Sequence, residues 1–510
     1  MTEIVQRFDR AAVPGATVAR GTSADSRNQT LHVFRAIAAL LVVAYHASYY
    51  LMAWRGDDRF LGVFGGVFGS YGVAIFFALS GYLMADLLER DPPGRFLVGR
   101  LLRIYPPMLL MVALFSLVFV LVGDRRGVDV ITLSLAPVGP RPYFLGVEWT
   151  LLYEMTYYVA LAGLALFGLR RHAVAFIVLW LALLVVAWVD GEGRIDRPTP
   201  LLSELPLAIA NLPFLLGFLT AHASRRGWLP PLLPLGAAAS ALAIAFLPEH
   251  ARLLAGLSAS LLVAAAVRAP QIRLSGWAGH LTSRLGDASY VLYLCHVPTF
   301  LIAQALLPAA MPTPLFWLTI VAAALGLSLL LGPVDVALHR VFKRLIAAAP
   351  PRRLNLIAFG FATLFLGLAI REEHEVRGDR AAEAEARQSI ASAPVLAPAS
   401  LAAAIDLVEA ADDGRWLIRG YAVDLDQPGR PIHIALRQGG DIIAFDRMRR
   451  MRTATAKALG REDIARHRFG FSVIVPADFD CRAGRIEALL LLDDVGAVPL
   501  SSGALAPICR

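Results

Sequence analysis

Arg35, His46, Glu154 and His296 are ionisable side chains set in stretches that are otherwise apolar. A charged group at the centre of a membrane helix costs roughly 2.5–3.5 kcal/mol on insertion scales, so each needs a chemical reason. Arg35 and His46 share one apolar run, Leu31 to Trp54, and stand eleven residues apart. At about 100° per residue that is three turns plus roughly 20°, which puts both on one helix face, about 16 Å apart along the axis. The face carries a cation near one end and a candidate base deeper in. Glu154 follows Trp149 on a run crossing in the opposite direction. At a depth similar to His46, its carboxylate can orient the imidazole or accept its proton. His296 lies beside Pro298, which predicts irregular backbone there. Each residue also has a bland reading. Arg35 can snorkel to lipid phosphate, either histidine can be a hydrogen-bonded core residue, and Glu154 can pair with a buried arginine or a backbone donor.

Membrane helices must position these residues. With 57% hydrophobic and 17% charged residues in 510, and a mean hydropathy of +0.60, the chain lacks the polar surface of a soluble protein. Apolar runs at 31–53, 72–88, 105–123, 148–168, 173–189, 203–221, 229–247, 253–267, 287–308, 315–336 and 354–370 predict eleven spans. The expected fold is an all-α polytopic membrane bundle, about ten core helices plus one extra, followed by a small all-β sandwich. No cleavable signal precedes Leu31, so the first helix is expected to be its own address. With residues 1–30 as a cytoplasmic tail, Arg7, Arg10, Arg20, Arg27, Arg90, Arg95, Arg100, Arg103, Arg170, Arg171, Arg225, Arg226, Arg268, Arg273, Arg284 and the cluster from Arg340 to Arg353 fall inside. The opposite loops, with Arg55, Arg59, Arg125, Arg126 and Arg194, are poorer in cations, as the positive-inside rule requires. The net charge of +8 therefore reads as topology and not as a nucleic-acid footprint. Of the three cysteines, Cys295 lies in an apolar run, and only Cys481 and Cys509 are placed to pair.

After Ile370 the composition changes. Residues 371–400 read as a polar helix and linker, and 401–510 as a β-sandwich with strands near 415–423, 431–436, 441–445, 469–475 and 485–492. Eleven spans put this domain opposite the N-terminus, in the periplasm of a two-membrane bacterium.

Several motifs occur together and in order: Arg35 and His46; Gly72, Val73, Phe76, Phe77, Leu79, Ser80 and Gly81; Arg100, Arg103, Ile104 and Pro106; Trp149, Thr150, Leu151 and Glu154; Ser289, Tyr290, Tyr293, Leu294, His296 and Pro298. On these the chain resembles the membrane-bound acyltransferase 3 family over about residues 30–345, with 346–370 as an additional span. It departs from the family after the tenth helix, where Leu338-His-Arg-Val-Phe342 replaces a Glu-Arg/Lys-Pro string. The resemblance implies transfer of an acyl group, expected to be acetyl, from cytoplasmic acyl-CoA to a hydroxyl of a polysaccharide, lipid-linked glycan or oligosaccharide in a bacterial inner membrane, without a metal. On that reading Arg35, with Arg100 and Arg103 on the cytoplasmic loop, receives the coenzyme A phosphates. His46 acts as general base or as nucleophile, with Glu154 and His296 as its partners. Ser80 and Gly81 are expected to break the second helix and offer oxyanion donors, or simply to pack.

The C-terminal region lacks the Gly-Asp-Ser nucleophile of a fused hydrolase; its nearest string is Gly378-Asp-Arg380. Trp416 and Tyr421 can stack on sugar or serve the core, so the domain reads equally as a glycan-positioning module or a passive appendage. Two other classes compete. A transporter exporting a glycan or acylated lipid through a proton relay would also carry buried ionisable residues, and a receptor would work through its β-domain.

Overall fold

Apolar helices follow the predicted runs closely. The computed structural model describes residues 29–505 apart from 125, 140, 192–197, 271–273, 390–397, 411–415, 439–440, 449, 476–485, 493–495 and 501–504. The N-terminal tail, Arg125, Arg194, Arg273, Cys481 and Cys509 lie outside the described residues. The helices are α1 (Gln29–Arg55), α2 (Arg59–Val63), α3 (Gly66–Arg90), α4 (Pro93–Leu121), α5 (Trp149–Leu166), α6 (Ala173–Asp190), α7 (Leu212–Arg225), α8 (Leu233–Ala243), α9 (Ala251–Arg268), α10 (Gly276–Leu306), α11 (Thr313–Ala348), α12 (Pro351–Ser389) and α13 (Thr453–Ala458). All eleven predicted runs correspond to a helix, and among the described residues eight helices are long and apolar enough to cross a membrane. The other three are α5, whose apolar run is diluted by Glu154 and three tyrosines, and the short α7 and α8.

Three expectations need correction. First, α4 begins at Pro93, where a missing N–H leaves nothing unsatisfied, so Arg100 and Arg103 lie within a helix and not on a loop. Second, α10 runs unbroken through Pro298; a bundle interior tolerates the lost hydrogen bond. Third, α3 is continuous through Ser80 and Gly81. A Cβ at Gly81 would meet the Phe214 carbonyl of α7, and one at Gly217 would meet the Ala78 carbonyl of α3. These glycines let two backbones approach, and Gly81 is a packing contact.

The site is built where α1 packs between α3 and α10, with α3 leaning on α7 and α9, and α10 on α11. The polar stretch 371–389 is no separate helix; it continues α12. Beyond it stand β1 (Leu401–Ala410), β2 (Trp416–Asp424), β3 (Ile432–Gln438), β4 (Asp441–Arg447), β5 (Arg450–Met451), β6 (Arg468–Val475), β7 (Ile486–Leu492) and β8 (Gly496–Leu500). They form two antiparallel sheets, ordered β1-β2-β6-β5 and β4-β3-β7-β8. Ile418, Ile434, Phe471 and Leu490 fill the space between. The five predicted strands are present. The alanine-rich β1 and the short β5 and β8 carry no strand pattern of their own.

Candidate active site

Helix α1 turns both Arg35 and His46 toward the bundle interior, as their spacing requires, and α10 faces them with Tyr290, Tyr293 and His296. His46 Nδ1 lies 3.0 Å from His296 Nε2, and His296 Nδ1 lies 3.1 Å from the Leu292 carbonyl oxygen. A carbonyl only accepts, so His296 carries its proton on Nδ1 and its Nε2 accepts in turn. His46 Nδ1 therefore donates, and with both rings neutral His46 Nε2 keeps its lone pair. That is the state a base or nucleophile needs. His296 is wholly buried, whereas His46 lines a cavity of about 640 Å³ together with Tyr45, Trp149, Glu249 and Arg252.

Glu154 does not orient the imidazole. Its carboxylate lies against the hydroxyls of Ser80 and Tyr158, with Arg35 and Arg100 as countercharges; Ser80 Oγ and Tyr158 OH are 3.2 Å apart. These residues, with Arg103 and Tyr290, line a second cavity of about 140 Å³. Arg103 forms a bidentate pair with Asp335 of α11 at 2.7 and 2.8 Å and lies over the Tyr290 ring at 4.8 Å. Three guanidiniums and one carboxylate, Glu154, line this cavity, a setting suited to an anionic ligand. Losing Asp335 would strand a buried cation at a cost of about 3–5 kcal/mol.

Val73, Phe77 and Tyr293 line both cavities, so the two share a wall. Tyr293 is fixed there, its hydroxyl 2.9 Å from the Val147 carbonyl and 2.6 Å from Thr150 Oγ1. Asp335 belongs to no motif, although it is the one acid in α11 and stands at the end of an apolar run, the same signal that marks Arg35. No motif flags Arg252 either, which tertiary packing brings over Trp149. Among the described residues no group of three or more His, Cys, Asp or Glu is gathered as metal ligands would be.

A family profile described as an acyltransferase domain matches residues 28–332, a span that contains every residue lining the two cavities. The chain is also 28% identical over 168 residues to Nodulation protein 10 of Rhizobium leguminosarum bv. viciae, covering 28% of this chain and 46% of that protein. It thus spans about half the length of the curated relative it matches. No solved structure matches significantly.

Proposed function

This chain belongs to the acyltransferase 3 family, and we propose that it carries an acyl group, acetyl foremost, from cytoplasmic acyl-CoA to a hydroxyl of a surface or secreted carbohydrate. The observation carrying this reading is the position of His46. Its ring lines one cavity, with Nδ1 engaged by His296, beside the wall shared with an arginine-lined cavity. The donor occupies the arginine side, where Arg35 and Arg100 meet its phosphates and Glu154, Ser80 and Tyr158 hold those guanidiniums in place. Arg103, held by Asp335, contributes field more than direct contact.

The acceptor occupies the His46 cavity, where Trp149 and Tyr45 offer faces for a sugar ring. In the base mechanism His46 Nε2 removes the hydroxyl proton, the oxygen attacks the thioester carbon, the C–S bond breaks, and the thiolate takes the proton back. In the nucleophilic mechanism Nε2 attacks first and the C–S bond breaks to release the thiolate; the acceptor oxygen then attacks the acyl carbon, the C–N bond to the imidazole breaks, and the hydroxyl proton goes to the thiolate. Both need the thioester end of the donor to reach past Val73, Phe77 and Tyr293, which line both cavities, to His46 and the acceptor. The positive-inside bias supports an inner-membrane topology with the N-terminus cytoplasmic and the β-domain periplasmic.

Membranes bearing the wild type and incubated with radiolabelled acetyl-CoA are expected to transfer label to endogenous carbohydrate. His46→Ala is expected to lower that transfer at least about 10²-fold, the lower end of general-base contributions. Equal labelling would overturn the mechanism.

A further inference from the structure

Past Ile370, the continuation of α12 is bound to two loops along one side. Glu372 is only 1% exposed and accepts a hydrogen bond from Arg141 Nη2 at 2.5 Å, while Arg141 Nη1 donates to Asp129 at 3.0 Å. The next residue, Glu373, accepts from the Ser203 backbone N–H at 3.1 Å and pairs with Arg377 at 2.8 Å. Arg377 donates to Ser203 Oγ at 2.9 Å. Arg380 pairs with Glu204 at 2.9 Å, and the other Glu204 oxygen accepts from the Leu201 N–H at 3.0 Å. Two turns of helix thus hold both segment 129–141 and segment 201–204.

Those segments do not line the His46 cavity themselves but lead directly to residues that do. They are joined by a bridge between Val138 and Leu201. The first leads to Glu148, whose carboxylate accepts from the N–H groups of Leu145 and Val147 at 2.7 and 3.1 Å and directly precedes Trp149. The second is flanked by Pro198, Ile209 and Ala210. Trp149, Pro198, Ile209 and Ala210 all line the cavity. On its other side the same stretch of α12 meets the β-domain, where Arg447 pairs with Glu375 at 3.4 Å.

We propose that residues 372–380 of α12 are a strap that sets the acceptor-side rim of the His46 cavity, with Glu372 and Arg141 as its positioning residues. The additional helix is then part of the acceptor site and not merely a tether for the β-domain. Arg141 keeps Asp129 as a partner when Glu372 is lost, so the loss frees the helix from the loop and loosens the rim without stranding a cation in the bundle. The inference rests on the acceptor assignment made above for this cavity.

The test uses the full chain with Cys481→Ser and Cys509→Ser, and Ala210→Cys as reporter, treated in native membranes with a membrane-impermeant maleimide. Glu372→Gln is expected to raise the labelling rate at least about threefold, as local opening of the loops exposes the rim. Radiolabel transfer from acetyl-CoA is expected to fall by at least a similar factor. Arg371→Ala, which removes only an exposed contact to Glu375, is expected to change neither. Exchanging the charges, Glu372→Arg with Arg141→Glu, together with Asp129→Asn so that the new carboxylate meets no like charge, is expected to return labelling toward the reference rate, which a misfolded variant would not do. An unchanged labelling rate in Glu372→Gln, or a charge exchange that restores nothing, overturns the strap. The acceptor assignment fails separately, if His46→Ala transfers label as the wild type does.

Discussion

A single hydrogen-bonded chain, from the Leu292 carbonyl through His296 to His46, decides which nitrogen of His46 can react. The carbonyl cannot donate, and that restriction passes along two rings to leave Nε2 as the open acceptor. On the proposed mechanism His296 positions His46 and never needs to meet substrate. His296→Ala is expected to reduce label transfer at saturating acetyl-CoA by about 10²-fold while leaving the acetyl-CoA concentration for half-maximal transfer unchanged. A proportional rise in that concentration would instead tie His296 to donor binding. His46 and Arg35 were legible from their types and spacing alone. The partnership of His46 with His296 was not, because the two are 250 residues apart and neither run's periodicity says which helix faces which.

Helices α3 and α7 illustrate how a motif can mean packing. Ser80 and Gly81 divide their work, for Ser80 Oγ meets Tyr158 in the arginine cavity while Gly81 admits the α7 backbone. Gly81→Ala and Gly217→Ala must each push α3 and α7 apart, at an expected cost of about 1–3 kcal/mol for overpacking. Thermal unfolding in detergent measures it, and a midpoint equal to wild type in both variants would refute close packing. The early start of α4 is a second case. Arg100 and Arg103 raise the polarity of its first turns enough that hydropathy places the span late, although Pro92 and Pro93 mark the helix start. Tertiary burial overrides the average, because the guanidiniums find Glu154 and Asp335 inside the bundle.

At the scale of the molecule, the acyltransferase bundle carries a membrane helix that runs on into a polar segment and ends in a β-sandwich. Both cavities are lined by the part of the chain matched by the family profile, while residues 372–380 lie outside it and bind the loops that lead to the rim. The odd number of predicted spans and the inward bias of arginine give one orientation. Alkaline phosphatase fused in place of residues 390–510 is expected to be active, since it folds only when exported. An inactive fusion at normal expression would put the β-domain in the cytoplasm.

The sequence by itself determined what local pattern can determine: the solvent of the chain, its apolar runs, the change to β-structure after the last span, and the face shared by Arg35 and His46. Hydropathy and helical period are properties of neighbouring residues, so they survive without a fold. Tertiary structure alone decided the partners. It gave Glu154 to the arginines and His296 to His46, Asp335 to Arg103 and Glu372 to Arg141. Each of these is a contact between helices or loops distant in sequence, and the low-dielectric interior rewards whichever pairing leaves fewest buried charges and donors unmet.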